Sequence, residues 1–225
     1  AGKNYIFNKG YSLSSYKVGL HNVKLEPIYY TEIAEFFLSN RLSHPVELKI
    51  DHLAYQYPGG QEGIRPFSFS SRSFFLLGIM GSSGTGKSTL LKLLNGRLKP
   101  TEGTIWINGY ELHGHNKTIS HLIGYVPQHD LLFDSLSIYE NLYYRARLCC
   151  GGRQRQDIYS QVEELLKELG LWHIRHRRVG SHQEGNVSGG QRKRLNMALE
   201  LIREPAILLV DEPTSGLSSN DSLHV

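Results

Sequence analysis

Nine consecutive residues, Gly81-Ser82-Ser83-Gly84-Thr85-Gly86-Lys87-Ser88-Thr89, combine small, flexible and hydroxyl-bearing side chains with a single lysine. The glycines let successive backbone N–H groups turn inward around an anion, and a helix beginning in this run adds the positive end of its dipole. In this pattern Lys87 reaches the outer phosphates of a nucleoside triphosphate and the Ser88 hydroxyl binds Mg²⁺. A second apolar run, Ala206-Ile207-Leu208-Leu209-Val210, ends in Asp211-Glu212, after Glu204-Pro205 has stopped a preceding helix. A buried strand there would deliver Asp211 to the metal shell and Glu212 to the water that attacks the terminal phosphate.

The pentapeptide Val187-Ser188-Gly189-Gly190-Gln191 lies shortly before that acidic strand. Ser188 can cap a helix opened by Gly189 and Gly190 and donate to a phosphate oxygen. Together these three motifs resemble the nucleotide-binding domain of an ATP-binding cassette (ABC) protein, over about residues 48–219. The family's usual signature begins with leucine, and Val187 is a mild aliphatic departure. The text of 187–219, with Arg192-Lys193-Arg194-Leu195-Asn196-Met197 and Glu212-Pro213-Thr214-Ser215-Gly216-Leu217, resembles the G-type (white/pigment) branch and related bacterial cassettes.

The resemblance implies further roles. Glu212 would be the catalytic base. Gln128, in Tyr125-Val126-Pro127-Gln128, would complete the Mg²⁺ and water shell and couple the site to a helical lobe. Tyr57 stands at the family's distance for an aromatic that stacks on adenine, with Tyr55 as competitor and strand packing as the plainer alternative for both. Ser188, Gly189, Gly190 and Gln191 would contact ATP bound to the opposite subunit of a head-to-tail dimer. Residues 213–218 resemble the loop that follows the catalytic acid, with Ser218 where the family usually has aspartate. The family's switch histidine lies on a further strand, and His224 is too close to Glu212 to be that residue, so the chain reads as truncated at its C-terminus. Implied overall are ATP and Mg²⁺ as cofactors, hydrolysis of ATP to ADP and phosphate, and a fused or separate transmembrane partner at the cytoplasmic face of a membrane. Coupling to export is the leading expectation. A soluble non-transport ATPase and an ATP-binding module without turnover are the alternatives.

Around these motifs the pattern predicts strands at 46–55, 64–70, 74–80, 104–108 and 122–126 and helices at 88–98, 138–148, 157–169 and 189–202. That is an α/β domain carrying a mostly helical insertion. By resemblance it is a P-loop NTPase core, a parallel sheet flanked by helices, with an antiparallel β subdomain and an α-helical subdomain at about 132–187. Residues 1–45, rich in Tyr, Asn and Ser, read as an extension or linker with one amphipathic helix at 31–42, capped by Thr31 and ended by His44-Pro45.

Composition bounds the reading without deciding it. With 225 residues, 40% of them hydrophobic, the chain can fill a real core. A net charge of +4, from 25 basic and 21 acidic residues, gives no reason to expect nucleic acid. The two cysteines, Cys149 and Cys150, are adjacent and fit neither a disulfide framework nor a metal site. The basic residues 175–178, 192–194, Arg145, Arg147, Arg153 and Arg155 read mainly as a solvated face, with binding to an anionic membrane surface or an acidic partner loop as the sharper alternative. No apolar run approaches the roughly 20 residues needed to span a bilayer.

Overall fold

The computed structural model describes residues 46–72, 77–114, 119–180 and 186–213, together with four short N-terminal backbone strands: β1 (Asn4–Ile6), β2 (Ser12–Ser14), β3 (Tyr16–Lys17) and β4 (Lys24–Glu26). The expected helix at 31–42 with its Thr31 cap, the His44-Pro45 break, residues 74–76 of the strand before the phosphate loop, Thr214 to Ser218 and His224 lie outside the described residues. The rest falls into two compact units that divide after Ile123.

The first unit is built on a four-stranded antiparallel sheet. β5 (Glu47–Gln56) pairs on one side with β6 (Glu62–Arg72) and on the other with β8 (Glu102–Ile107), which turns back into β9 (Tyr110–Glu111), giving the order β6-β5-β8-β9. Alternation, reset where the register shifts between Ile50 and Leu53 and between Ile64 and Phe67, places Leu48, Ile50, Leu53, Ile64, Phe67, Phe69, Ile105 and Ile107 in the core. Pro66, which has no N–H to give a ladder, is tolerated because β6 is an edge strand. The β8–β9 hairpin closes through Asn108-Gly109, with φ of 50° and 80°, the positive values that a two-residue Asn-Gly turn supplies. Asn108 also accepts a 2.8 Å bond from the Glu47 N–H through its side chain.

The strand that leads into the phosphate loop, β7 (Gly78–Met80), pairs antiparallel with β4, in the register Lys24↔Met80, and β4 pairs with β3. The N-terminal stretch expected as a linker thus supplies strands. Segments of two or three residues are too short to show period-2 alternation in a sequence. Helix α1 (Lys87–Leu94) follows the loop and buries Leu90, Leu91, Leu93 and Leu94.

In the second unit β10 (Ile123–Val126) pairs with β11 (Ile207–Val210), and three helices carry the core: α2 (Ile138–Cys149), α3 (Arg155–Glu168) and α4 (Gly189–Leu201). Ile138, Leu142 and Ala146 recur every fourth residue on α2, Ile158, Val162, Leu165 and Leu166 form the matching stripe on α3, and Leu195, Ala198 and Leu201 face them from α4. Both α2 and α4 begin with a capping box, Ser137 with Glu140 and Ser188 with Gln191. α3 ends where the Gly170 N–H bonds to the Lys167 carbonyl and the Leu171 N–H to the Leu166 carbonyl, which satisfies carbonyls the helix leaves unpaired. Both cysteines are free.

Candidate functional site

In the first unit the predicted strand–loop–helix context is present. Gly86 is the N-cap of α1 and lies at φ 94°. A Cβ there would meet the Gly63 carbonyl at 2.7 Å, so glycine is required both by the left-handed backbone and by the close approach. No side chain caps α1, which leaves first-turn N–H groups for an anion. Lys87 Nζ donates 2.8 Å bonds to the carbonyls of Gly81 and Ser82, and the Thr85 hydroxyl donates to the same Ser82 carbonyl at 2.9 Å. The ammonium therefore spans the loop it is expected to serve.

A cavity of about 300 Å³ opens beside the loop, lined by Tyr57, Gln61, Glu62, Gly63, Gly84 and Gly86. That is at the small end of the usual range for ligand pockets. Tyr57 is held from two sides: its hydroxyl bonds to the Thr89 hydroxyl, and Tyr55 packs edge-on against its ring at 5.1 Å between centroids. Of the two tyrosines considered for base stacking, Tyr57 is the one that lines the cavity. Tyr55 supports it.

In the second unit the two predicted acids leave the end of β11 with different surroundings. Asp211 is buried, its N–H bonds to the Val126 carbonyl at 2.9 Å, and its carboxylate accepts from the Tyr125 hydroxyl at 3.3 Å. Glu212 is exposed and sits at φ 48°, a left-handed conformation that a non-glycine residue adopts only where its surroundings impose it. Gln128 Nε2 donates to the Glu212 carboxylate at 2.7 Å. β10 and β11 thus bring together two residues 84 positions apart that the sequence nominated separately.

At the start of α4 the Ser188 hydroxyl accepts from the Gln191 N–H at 3.2 Å, and the Gln191 side chain accepts from the Ser188 N–H at 3.0 Å. Ser188 and Gly189 are exposed, and Gly190 is buried. The basic run that follows corrects an expectation. Arg192 and Lys193 are only 4% and 6% exposed, rather than part of a solvated face. Arg192 is buried because it donates to both oxygens of Asp130, at 2.8 and 3.3 Å, to Asp134 at 3.1 Å and to the Gly180 carbonyl at 2.5 Å. Burial alone would lower its pKa, but the two carboxylates outweigh it and raise it. Lys193 bonds to the Pro127 and Gln128 carbonyls, and desolvation lowers its pKa against the opposing pull of Asp211, Asp130 and Glu212. Sequence reasoning did not single out Asp130, Asp134 or the inward set of α4. The available signal was a pair of acids two and six residues after Gln128.

The sequence profile of the ABC transporter family matches residues 64–215, well over half of the chain. The chain belongs to the ABC transporter family. It is 41% identical over 155 residues to an ABC-type transporter, claG, of Penicillium crustosum, covering 68% of this chain and 21% of that protein. It is 36% identical over 215 residues to ABC transporter G family member 23 of Arabidopsis thaliana, covering 92% of this chain and 34% of that protein. Rat ATP-binding cassette sub-family G member 5 is 35% identical over 150 residues. The chain therefore spans about a fifth to a third of the length of these relatives. Among solved structures, cbiO1 of Clostridium perfringens, described as part of the ABC transporter complex cbiONQ, superposes with a TM-score of 0.64 at 28% identity, covering 78% of this chain and 68% of that one. This ABC chain accordingly carries an ATP-binding domain, with G family members among its relatives, and its α/β fold is that of an ABC ATPase. No helix among its described residues is long and apolar enough to cross a membrane.

Proposed function

We propose that this ABC domain hydrolyses ATP to ADP and phosphate and that turnover powers substrate export through a membrane domain, fused or separate, from the cytoplasmic face of the membrane. The observation that carries the reading is the 2.7 Å bond between Gln128 and Glu212 at the end of β11. It joins the residue expected to order the attacking water to the one expected to take its proton.

In this proposal residues 46–225 are the nucleotide-binding domain, with 1–45 as an extension before it. Gly81, Ser82, Ser83, Gly84, Thr85, Gly86, Lys87, Ser88 and Thr89 hold the phosphates, and Tyr57 holds the base in the adjoining cavity. Ser188, Gly189, Gly190 and Gln191 face nucleotide on a second, head-to-tail copy of the domain. The resemblance implies Mg²⁺ with the Ser88 hydroxyl, the Asp211 carboxylate and the Gln128 amide oxygen as its ligands, a set of hard oxygen donors of the kind that ion takes. When bound it would neutralise charge on the phosphates. Nucleic acid is not an expected partner.

Phosphate release from MgATP by the full chain, measured alone and then with its membrane domain in proteoliposomes, tests the reading. Saturable release, stimulated in the proteoliposomes, is expected. No release in either setting would refute it.

A further inference from the structure

We infer that Arg192 and Lys193 are positioning residues that strap the segment carrying Gln128 to the start of α4, so that nucleotide of a second subunit bound at Ser188 alters the placement of Gln128 in its own site. The inference rests on the roles proposed above for Gln128 and Ser188.

Residues 127–134 form neither helix nor strand, so their placement must come from elsewhere. It comes largely from one face of α4. Lys193 holds the carbonyls of Pro127 at 3.4 Å and Gln128 at 3.3 Å; Arg192 holds Asp130 and Asp134; Asn196, 2% exposed, accepts from the Leu131 N–H at 3.2 Å. Positions 192, 193 and 196 share a side of the helix. At its far end the segment is held again, by Asn141 of α2, which accepts from the Phe133 N–H at 2.8 Å and donates to the Phe133 carbonyl at 3.1 Å.

Two buried cations are a poor choice if stability were the only requirement, because apolar residues of similar volume would serve as well or better. Directional donors specify position instead. The Arg192 N–H bonds to the Ser188 carbonyl at 2.8 Å, one helical turn from the capping hydroxyl. A displacement of Ser188 is therefore passed along a hydrogen-bonded helix to Arg192 and Lys193, and from them to the backbone of Gln128. The Gln128 side chain, in contact with Glu212, registers the change.

The test compares Lys193→Met, Lys193→Gln and Asp134→Asn with wild type in the full chain, reading MgATP affinity, kcat and the Hill coefficient for ATP. For Lys193→Met the expectation is a kcat lowered about tenfold or more, a Kd within about twofold of wild type and a Hill coefficient falling towards 1; Lys193→Gln, which keeps an N–H donor, should recover much of kcat. Wild-type kcat and cooperativity in Lys193→Met would overturn the inference. So would parallel losses of affinity and rate with no rescue by Lys193→Gln, since that is what a merely structural role produces. If Lys193→Met does not fold, Asp134→Asn decides, because its side chain is 54% exposed. A several-fold lower kcat at unchanged Kd supports the strap, and wild-type values overturn it. Gln128→Ala separates the two levels. A wild-type rate in that variant overturns the role of Gln128 and the strap with it, whereas a slow Gln128→Ala beside a wild-type Lys193→Met overturns the strap alone.

Discussion

The Gln128 amide donates to the Glu212 carboxylate at 2.7 Å, so the proposed base already has a hydrogen-bond partner before any water is in place. Replacing the carboxylate with an amide changes its capacity to take a proton while keeping its shape. Glu212→Gln should lower kcat by about 100-fold or more without weakening MgATP binding, and an ATP-bound dimer should accumulate. Phosphate release and sizing chromatography with ATP read the two effects. Turnover at the wild-type rate would show that Glu212 is not the base.

Lys87 is the cation that spans the phosphate loop, bonding to Gly81 and Ser82. Lys87→Ala removes it while leaving the backbone cradle in place. The variant should fold as wild type and lose the rise in melting temperature that MgATP produces. An undiminished rise would remove Lys87 from the binding site.

Tyr57 tests the base side of the cavity. Tyr57→Phe loses the bond to Thr89 but keeps the ring, so its effect on ATP affinity should be about 1 kcal/mol or less. Tyr57→Ala loses the stacking surface, which is worth about 1–3 kcal/mol per base. Calorimetry with ATP and with inorganic tripolyphosphate distinguishes base from phosphate contacts. Tripolyphosphate should bind all three proteins alike, and equal losses for both ligands in Tyr57→Ala would contradict stacking.

The capping box at α2 ties stability to pH. Glu140 accepts from the Ser137 N–H at 2.8 Å and from its hydroxyl at 2.7 Å, and these bonds lower its pKa. A carboxylate depressed in the folded state contributes stability above its ordinary value of about 4.3, and that contribution is lost as pH falls through the folded-state value. Ser137→Ala should therefore cost about 1 kcal/mol at pH 7 and less in acid, below both values. Denaturant titrations at the two pH values check the sign. A penalty that grows in acid would contradict it.

The phosphate loop and the paired acids were legible because their chemistry needs particular residues side by side in the chain. The places of α2, α3 and α4 along the chain were legible for a related reason: the helical period of each lies within its own segment. Arg192 with Asp130 was not, because a buried ion pair between residues 62 positions apart has no local pattern, and a basic run after a helix start reads as surface. β4 beside β7 was hidden in the same way, since pairing over more than 50 residues leaves no trace in strands this short.

The approach of Gly86 to the Gly63 carbonyl fixes one side of the cavity beside the loop. Gly63 and Gly86 both line the cavity and Gly86 caps the helix that follows the loop, so at this point main chain meets main chain. On the function proposed above, the spacing between the Tyr57 ring and the phosphate-binding loop is then set by main chain, as in a gauge block. Lengthening or shortening the turn at 57–61 by one residue would mis-set that spacing, and such a change should be far less tolerated than one in the exposed loop at 151–153.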